Sequence, residues 1–149
     1  MAIMIFKPYH IWPIICDPSA PEHKGVTRRL WDLKKSPRDR KSKVVAGRLY
    51  NAHTDFYGQK VFARVLVLDV RQERLCDMTE AEAKLEGGYT LAEYFTVLDL
   101  INKRPVDMDE YLFRIEFRMT ESIMQNRAVA EANYWYHMAE IRKHVHGGS

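Results

Sequence analysis

Lys24-Gly25-Val26-Thr27-Arg28-Arg29-Leu30-Trp31 places an amine, a hydroxyl, two guanidiniums and an indole within one short stretch. Two residues separate it from Asp17-Pro18-Ser19-Ala20-Pro21, where two prolines and an Asx residue oppose regular structure and predict a loop. The charge around it is lopsided. From Lys24 to Arg48, ten Lys and Arg meet only Asp32 and Asp39, a local excess of eight cations. The net charge of the whole chain is +3, so the remainder carries an excess of five acids. Cations concentrated on a mildly acidic body attract polyanions and release their counterions, which makes nucleic acid the natural partner. The plain alternative is a solvated loop kept soluble by its charge.

Outward from this stretch the chain alternates between strand and helix patterns. Ile3-Met4-Ile5-Phe6 predicts a first strand stopped by Pro8, and His10 to Ile15 predicts one helical turn. Lys34 to Lys43 carries Pro37, serines and charge with no periodic apolar face, predicting an exposed, mobile excursion. Strand character returns at Val44-Val45-Ala46, at Leu49-Tyr50 and from Lys60 to Val70. In that last segment, apolar residues of both parities predict a central strand buried on both faces. Thr79 to Leu85 opens with an N-cap and acids in its first turn, and Gly87-Gly88 ends it. Thr90 to Ile101 repeats Leu91, Tyr94, Phe95, Leu98 and Ile101 at helical spacing. Tyr111 to Arg118 alternates cleanly, predicting a half-exposed antiparallel strand.

Ser122 to His146 predicts a long terminal helix, with Ser122 and Gln125 as a capping box and Tyr134, Met138, Ile141 and Val145 on one stripe. The helix either covers one side of the domain or supplies a homodimer contact, packing being the commoner use of such a stripe. His144 and His146, beside Gly147-Gly148-Ser149, are expected to fray or to belong to an appended tail.

At 149 residues, 46% hydrophobic and 29% charged, the chain has the size and composition of one globular domain of class α+β, with a mainly antiparallel sheet. A barrel is the architecture these elements suggest. The apolar run from Ile11 to Cys16 is too short for a bilayer and contains Pro13, so no membrane span is expected. The first residues lack a basic region and a cleavage site, and a cytoplasmic location is the expectation. Cys16 and Cys76, far apart, read as buried apolar side chains. The six histidines show no HExxH pattern or zinc spacing, and neither a metal nor a cofactor is implied. The nucleophile elbow, phosphate-cradling Gly-rich loop and dinucleotide fingerprint are all missing.

The stretch from Lys24 to Trp31 resembles the K-x-x-T-R-R-L-W signature of ASCH domains, which follows a short strand like Phe6-Lys7-Pro8. Phe62-Ala63-Arg64-Val65 and Val70-Arg71-Gln72-Glu73-Arg74-Leu75 resemble that family's central strand and its continuation. Asp77-Met78-Thr79-Glu80-Ala81-Glu82-Ala83, Glu86-Gly87-Gly88-Tyr89 and Leu91-Ala92-Glu93-Tyr94 are similar to its helical insert, and Ile115-Glu116-Phe117 to its last strand. The resemblance implies a PUA-like β-barrel over residues 1–118, with a cleft between the Lys24 loop and the insert. Residues 119–149 would form a helical extension packed on it. His23 stands where the family usually has a glycine before the lysine, after a longer loop.

The resemblance implies RNA binding or RNA processing. It also brings a chemical alternative, because one bacterial branch hydrolyses the amide of N4-acetylcytidine with a Lys, a Thr and a Glu. Lys24, Thr27 and Glu86 occupy those places here. On them, Thr27 would attack the acetyl carbonyl, a desolvated Lys24 would take its proton, and Glu86 would orient the Lys or pass a proton to the leaving amine. A charged Lys24 beside Glu86 would instead be an ion pair that reads a phosphate or a base edge. Candidate nucleic-acid contacts are Arg28, Arg29, Trp31, Lys34, Lys35, Arg38, Arg40, Lys41, Lys43 and Tyr89. The family pattern favours Arg29 over Arg28 in the cleft. Trp31 is weighed as a core anchor against a base-stacking ring, and Tyr89 likewise. Ribonuclease activity ranks lowest because no His pair is evident, and a protein contact through the terminal helix is a further alternative.

Overall fold

Two long strands carry the sheet, and their irregularities shape it. In the computed structural model, which describes residues 2–54, 61–124 and 126–146, β4 (Val61–Arg74) pairs antiparallel with β5 (Tyr111–Ser122). The other strands are β1 (Ile3–Ile5), β2 (Val26–Arg29) and β3 (Leu49–His53), giving the order β1-β3-β4-β5-β2. Three pairings are antiparallel, and β1 with β3 is parallel. Register shifts break the ladder at Arg64/Val65, at Val67/Asp69 and at Ala52/His53. Each such bulge adds local twist, and the sheet curls. Phe6, just past β1, thereby packs on Phe117 of β5 and on Phe62, with ring centroids 5.6 and 6.2 Å apart. Among the described residues no hydrogen-bonded pairing joins β1 to β2, so the expected barrel is an open, curled sheet at this seam.

Inside the curl lie Met4, Phe6, Ile14, Ala52, Val65, Ile115 and Phe117, all under a tenth exposed. A second core sits between α3 (Leu91–Asn102), α4 (Arg127–Val145) and the far face of β5, built on Tyr89, Tyr94, Leu98, Leu112, Tyr134 and Met138. Burying a large apolar side chain contributes about 1.5–3 kcal/mol, so these two clusters are the main favourable term. The second core is why β5 departs from the expected half-exposed strand. Leu112, Phe113, Arg114 and Ile115 are all buried, because the helices cover the face that alternation alone assigns to solvent. β4 departs in the other direction, since its bulge turns Leu68 outward and leaves it 43% exposed.

Helices start where local chemistry dictates. Thr79 caps α2 (Glu80–Leu85) by accepting from the Glu82 amide. Thr90 and Glu93 form a complete capping box on α3. The turn at Pro8–His10 runs directly into α1 (Ile11–Ile15), as the pattern predicts. The expected box of Ser122 with Gln125 involves a residue outside those described. Ser122 ends β5, and Asn126 caps α4 instead. Tyr134, Met138 and Ile141 are buried against the domain, so α4 covers one of its sides. The expected strand at Lys60 begins outside the described residues, as does the Gly147–Ser149 end.

The basic excursion is docked rather than loose. Arg40 donates to the Tyr111 carbonyl at 3.1 Å and pairs with Glu110 at 3.2 Å, while Gln72 donates to the Pro37 carbonyl at 2.7 Å. Val44 to Ala46 form no strand; Val44 enters the core, and the Val45 amide donates to the Tyr50 hydroxyl at 2.8 Å. Cys16 is buried as expected, but Cys76 is exposed, with its thiol 3.2 Å from Arg74. No helix is long and apolar enough to cross a membrane among the described residues.

Candidate functional site

Glu86 and Lys24 are brought together by backbone as well as by charge. A lone antiparallel bridge links the two residues, the Gly25 amide donates to the Leu85 carbonyl at 3.0 Å, and the Lys24 amide donates to the Pro13 carbonyl at 2.8 Å. The chain leaves Glu86 through Gly87 and Gly88, with φ of 136° and 82°. At Gly88 an added Cβ would stand 2.9 Å from the Glu22 Cα and 3.0 Å from the Tyr134 hydroxyl, so only glycine fits. The Tyr134 hydroxyl closes the turn by donating to the Gly87 carbonyl at 2.7 Å.

The Lys24 ammonium spends its three protons on the Val26 carbonyl, the Glu86 carbonyl and Glu86 Oε1, each at 2.9 Å. The other Glu86 oxygen accepts from Arg28 Nη1 at 2.8 Å. Lys24 and Glu86 are 2% and 1% exposed, which makes this a buried ion pair rather than a surface one. Burial lowers the Lys24 pKa against the opposing pull of Glu86. Burial also lowers Arg28, but Glu86 outweighs it and the net direction is up. Arg28 further reaches Glu73 at 3.2 Å and Glu82 at 3.7 Å, and Arg114 grips Glu82 through two bonds of 2.9 and 3.2 Å. Arg28 is therefore a buried clamp joining β2 to β4 and the insert, and it also reaches the lining of the cavity beside Lys24.

Thr27 and Arg29 share the opposite face of β2, as strand alternation requires. Arg29 Nε donates to the Thr27 hydroxyl at 3.2 Å, and its guanidinium lies over the Phe6 ring at 5.0 Å. Both line a cavity of about 490 Å³ with Lys24, Glu86, Trp31 and Lys43, set between the unpaired edges of β1 and β2 and roofed by Tyr94, Leu98 and Ile101 of α3. Among the described residues, five cationic side chains reach its lining against one carboxylate, that of Glu86, so these residues favour an anionic or electron-rich ligand. Its volume is that of a small-molecule site, about 300–1,000 Å³.

The three candidate residues Lys24, Thr27 and Glu86 thus lie in one cavity wall. Lys24 and Glu86 are in direct contact, and the Thr27 hydroxyl is engaged by Arg29 rather than by Lys24. Trp31 packs on Phe113 at 5.8 Å, as a core anchor would, and also lines the cavity, with Lys43 Nζ 5.8 Å above its ring. Lys34, Lys35, Arg38, Lys41 and Lys43 are exposed. Arg40 is committed to Glu110 and the β5 backbone. Tyr89 is not at a lip: it is fully buried, its hydroxyl between His10 and His137, and its ring is closed to a base. Sequence reasoning missed His10, Phe6 and Tyr94 in the cavity and Glu73 and Glu82 behind Arg28. The spacing of Glu82 and Glu86 along α2 was the available signal for the last.

No family model matches the chain, and no curated protein matches it. Among solved structures, the ASCH domain from Lactobacillus crispatus JV V101 superposes with a TM-score of 0.60 at 14% identity, over 80% of this chain and 79% of that one. A DUF984 protein from Enterococcus faecalis V583 gives 0.53 at 14% identity, over 83% and 82%. At this identity the likeness is one of fold, covering about four-fifths of each chain. The chain has the fold of an ASCH domain.

Proposed function

We propose that this chain is an ASCH-family RNA-binding protein of the cytoplasm, which takes one unpaired base or modified nucleoside into the cavity and tracks the adjoining phosphates with its basic loop. In this reading the curled sheet is a PUA-like barrel left open at the β1/β2 seam, where the cavity lies. The observation that carries it is the position of Trp31 and Lys43. Both belong to the basic segment and both line the cavity, so a strand held by Lys34, Lys35, Lys41 and Lys43 passes the cavity mouth. Phosphate contacts supply affinity without sequence preference, and stacking on an aromatic face adds about 1–3 kcal/mol per base.

The test is equilibrium binding of a mixed-sequence single-stranded RNA over a range of salt. Affinity falls steeply with salt, and replacing Lys34, Lys35, Lys41 and Lys43 together by Gln flattens the log–log slope by up to about 0.7 for each phosphate no longer neutralised. Binding that ignores salt refutes the reading.

A second reading, hydrolysis of an acylated nucleoside amine such as N4-acetylcytidine, is favoured by one observation: the buried amine of Lys24, its proton affinity lowered, shares a wall with the Thr27 hydroxyl. Thr27 attacks the acyl carbon as its proton passes to a neutral Lys24, the resulting ammonium gives that proton to the amine as the C–N bond breaks, and water then hydrolyses the acyl-Thr27 ester to release the acid and restore the Thr27 hydroxyl. In the unliganded geometry Lys24 has no free donor or acceptor for Thr27, so this chemistry requires a ligand to displace one of its bonds. Release of cytidine from N4-acetylcytidine by the wild type and not by Lys24→Ala is the expected result.

A further inference from the structure

A row of hydrogen bonds connects the cavity to a separate surface groove. His10 lines the cavity, and its Nε2 lies 2.7 Å from the Tyr89 hydroxyl. The same hydroxyl lies 2.8 Å from Nε2 of His137. His137 in turn lines a groove with Pro8, Tyr9, Asn133, Tyr136 and Glu140. The Tyr9 ring fixes both imidazoles, stacking on His137 at 3.6 Å and 3° and meeting His10 edge-on at 4.7 Å.

The donor count constrains what this row does. A phenol has one proton to donate, and a neutral imidazole has one N–H. Set between two Nε2 atoms, Tyr89 donates to one ring and accepts from the other, so the two rings hold opposite tautomers. Both are neutral near pH 7. Burial lowers the His10 pKa, with Lys24, His137, Arg29 and Lys7 adding to it, and burial lowers His137 to about 4. Tyr9, Tyr94, Tyr134 and Glu86 face Tyr89, and Glu140 stands in the outer groove.

We propose that His10, Tyr89 and His137 form a proton conduit between the cavity and this groove. A proton taken up at His10 Nδ1 sends the Nε2 proton to the Tyr89 oxygen. The Tyr89 proton passes to His137 Nε2, and the Nδ1 proton of His137 leaves to the groove. One proton enters and one leaves, no charge remains on Tyr89, and the row ends with its bonds reversed. It carries a second proton outward only after both rings exchange tautomers. The need for it rests on the hydrolytic reading: cleaving an acylated cytosine-type amine at neutral pH gives an ionised acid and a neutral amine, so each turnover must export one proton while the substrate occupies the cavity mouth.

The test combines imidazole nitrogen NMR with kinetics. In the wild type, His10 and His137 show opposite neutral tautomers, and Tyr89→Phe, which keeps the ring, abolishes that opposition. Finding both rings in the same tautomer overturns the conduit, and needs only the wild type should a variant fail to fold. With N4-acetylcytidine as substrate, Tyr89→Phe and His137→Gln lower kcat at least about tenfold with KM unchanged, and added imidazole buffer restores it. A loss that buffer does not restore is a structural effect and overturns the proposal, as does an unchanged kcat. No turnover of N4-acetylcytidine by the wild type retires the hydrolytic reading and the conduit with it, whereas wild-type turnover with kcat unchanged in Tyr89→Phe overturns the conduit alone.

Discussion

Replacing Glu86 by Gln keeps the side chain's volume and removes its charge. In the native protein one carboxylate oxygen faces Lys24 Nζ at 2.9 Å and the other faces Arg28 Nη1 at 2.8 Å, with Glu86 1% exposed. A glutamine offers one acceptor oxygen, and its amide turns donors toward a cation. Breaking a buried pair costs about 3–5 kcal/mol. Arg28 retains Glu73 and Glu82, and Lys24 retains two carbonyl acceptors, so the lower end, about 3 kcal/mol, applies. At about 2–4 °C per kcal/mol for a chain of this size, Tm falls by about 6–12 °C. The deficit also depends on pH. The folded-state pKa of Lys24 lies below its ordinary 10.5 and falls further without Glu86. Between the folded and unfolded values the unfolded chain binds more protons, so stability rises with pH there. Calorimetry at neutral and alkaline pH should find the gap to wild type narrowing as pH approaches 10.5. A Tm within about 2 °C of wild type at neutral pH, or a gap that widens with pH, refutes the reasoning.

Gly88→Ala forces a side chain into a left-handed backbone, at about 1–2 kcal/mol, and against the Glu22 backbone besides. Chemical denaturation should show a loss larger than that strain alone. His137, whose pKa is about 4 folded against 6.5 ordinarily, binds its proton more tightly in the unfolded chain. Stability therefore drops as pH falls from 6.5 toward 4, and His137→Gln makes that slope shallower without removing the share from His10, which is checked by unfolding midpoints across the range.

The parts of the fold written in short-range chemistry were legible in the sequence. Thr79 and Thr90 mark their helices because an N-cap acts on amides only a few residues away, and the stripe of Tyr134, Met138 and Ile141 predicts a packed α4. The pairing of Lys24 with Glu86 was legible only through the order of motifs, since nothing local to either residue announces a partner 62 positions away. Patterning failed where charge is buried. Arg114 reads as the polar side of an alternating strand, yet Glu82 satisfies it inside the protein. Tyr89 defeats a sequence reading because two glycines suggest an exposed turn. Their positive φ values instead fold the chain back and drive the ring inward between two histidines. The excursion at Lys34 to Lys43 lacks an apolar face because polar bonds, from Arg40 and Gln72, hold it down.

The central claim is that a base enters the cavity beside Lys24 and Glu86 while the basic loop holds its phosphates. Amide-shift mapping during titration with a short mixed-sequence single-stranded RNA tests it most directly. The account predicts shifts at Thr27, Arg29, Trp31 and Glu86 together with Lys41 and Lys43. Shifts confined to the basic loop, with the cavity wall silent, contradict it.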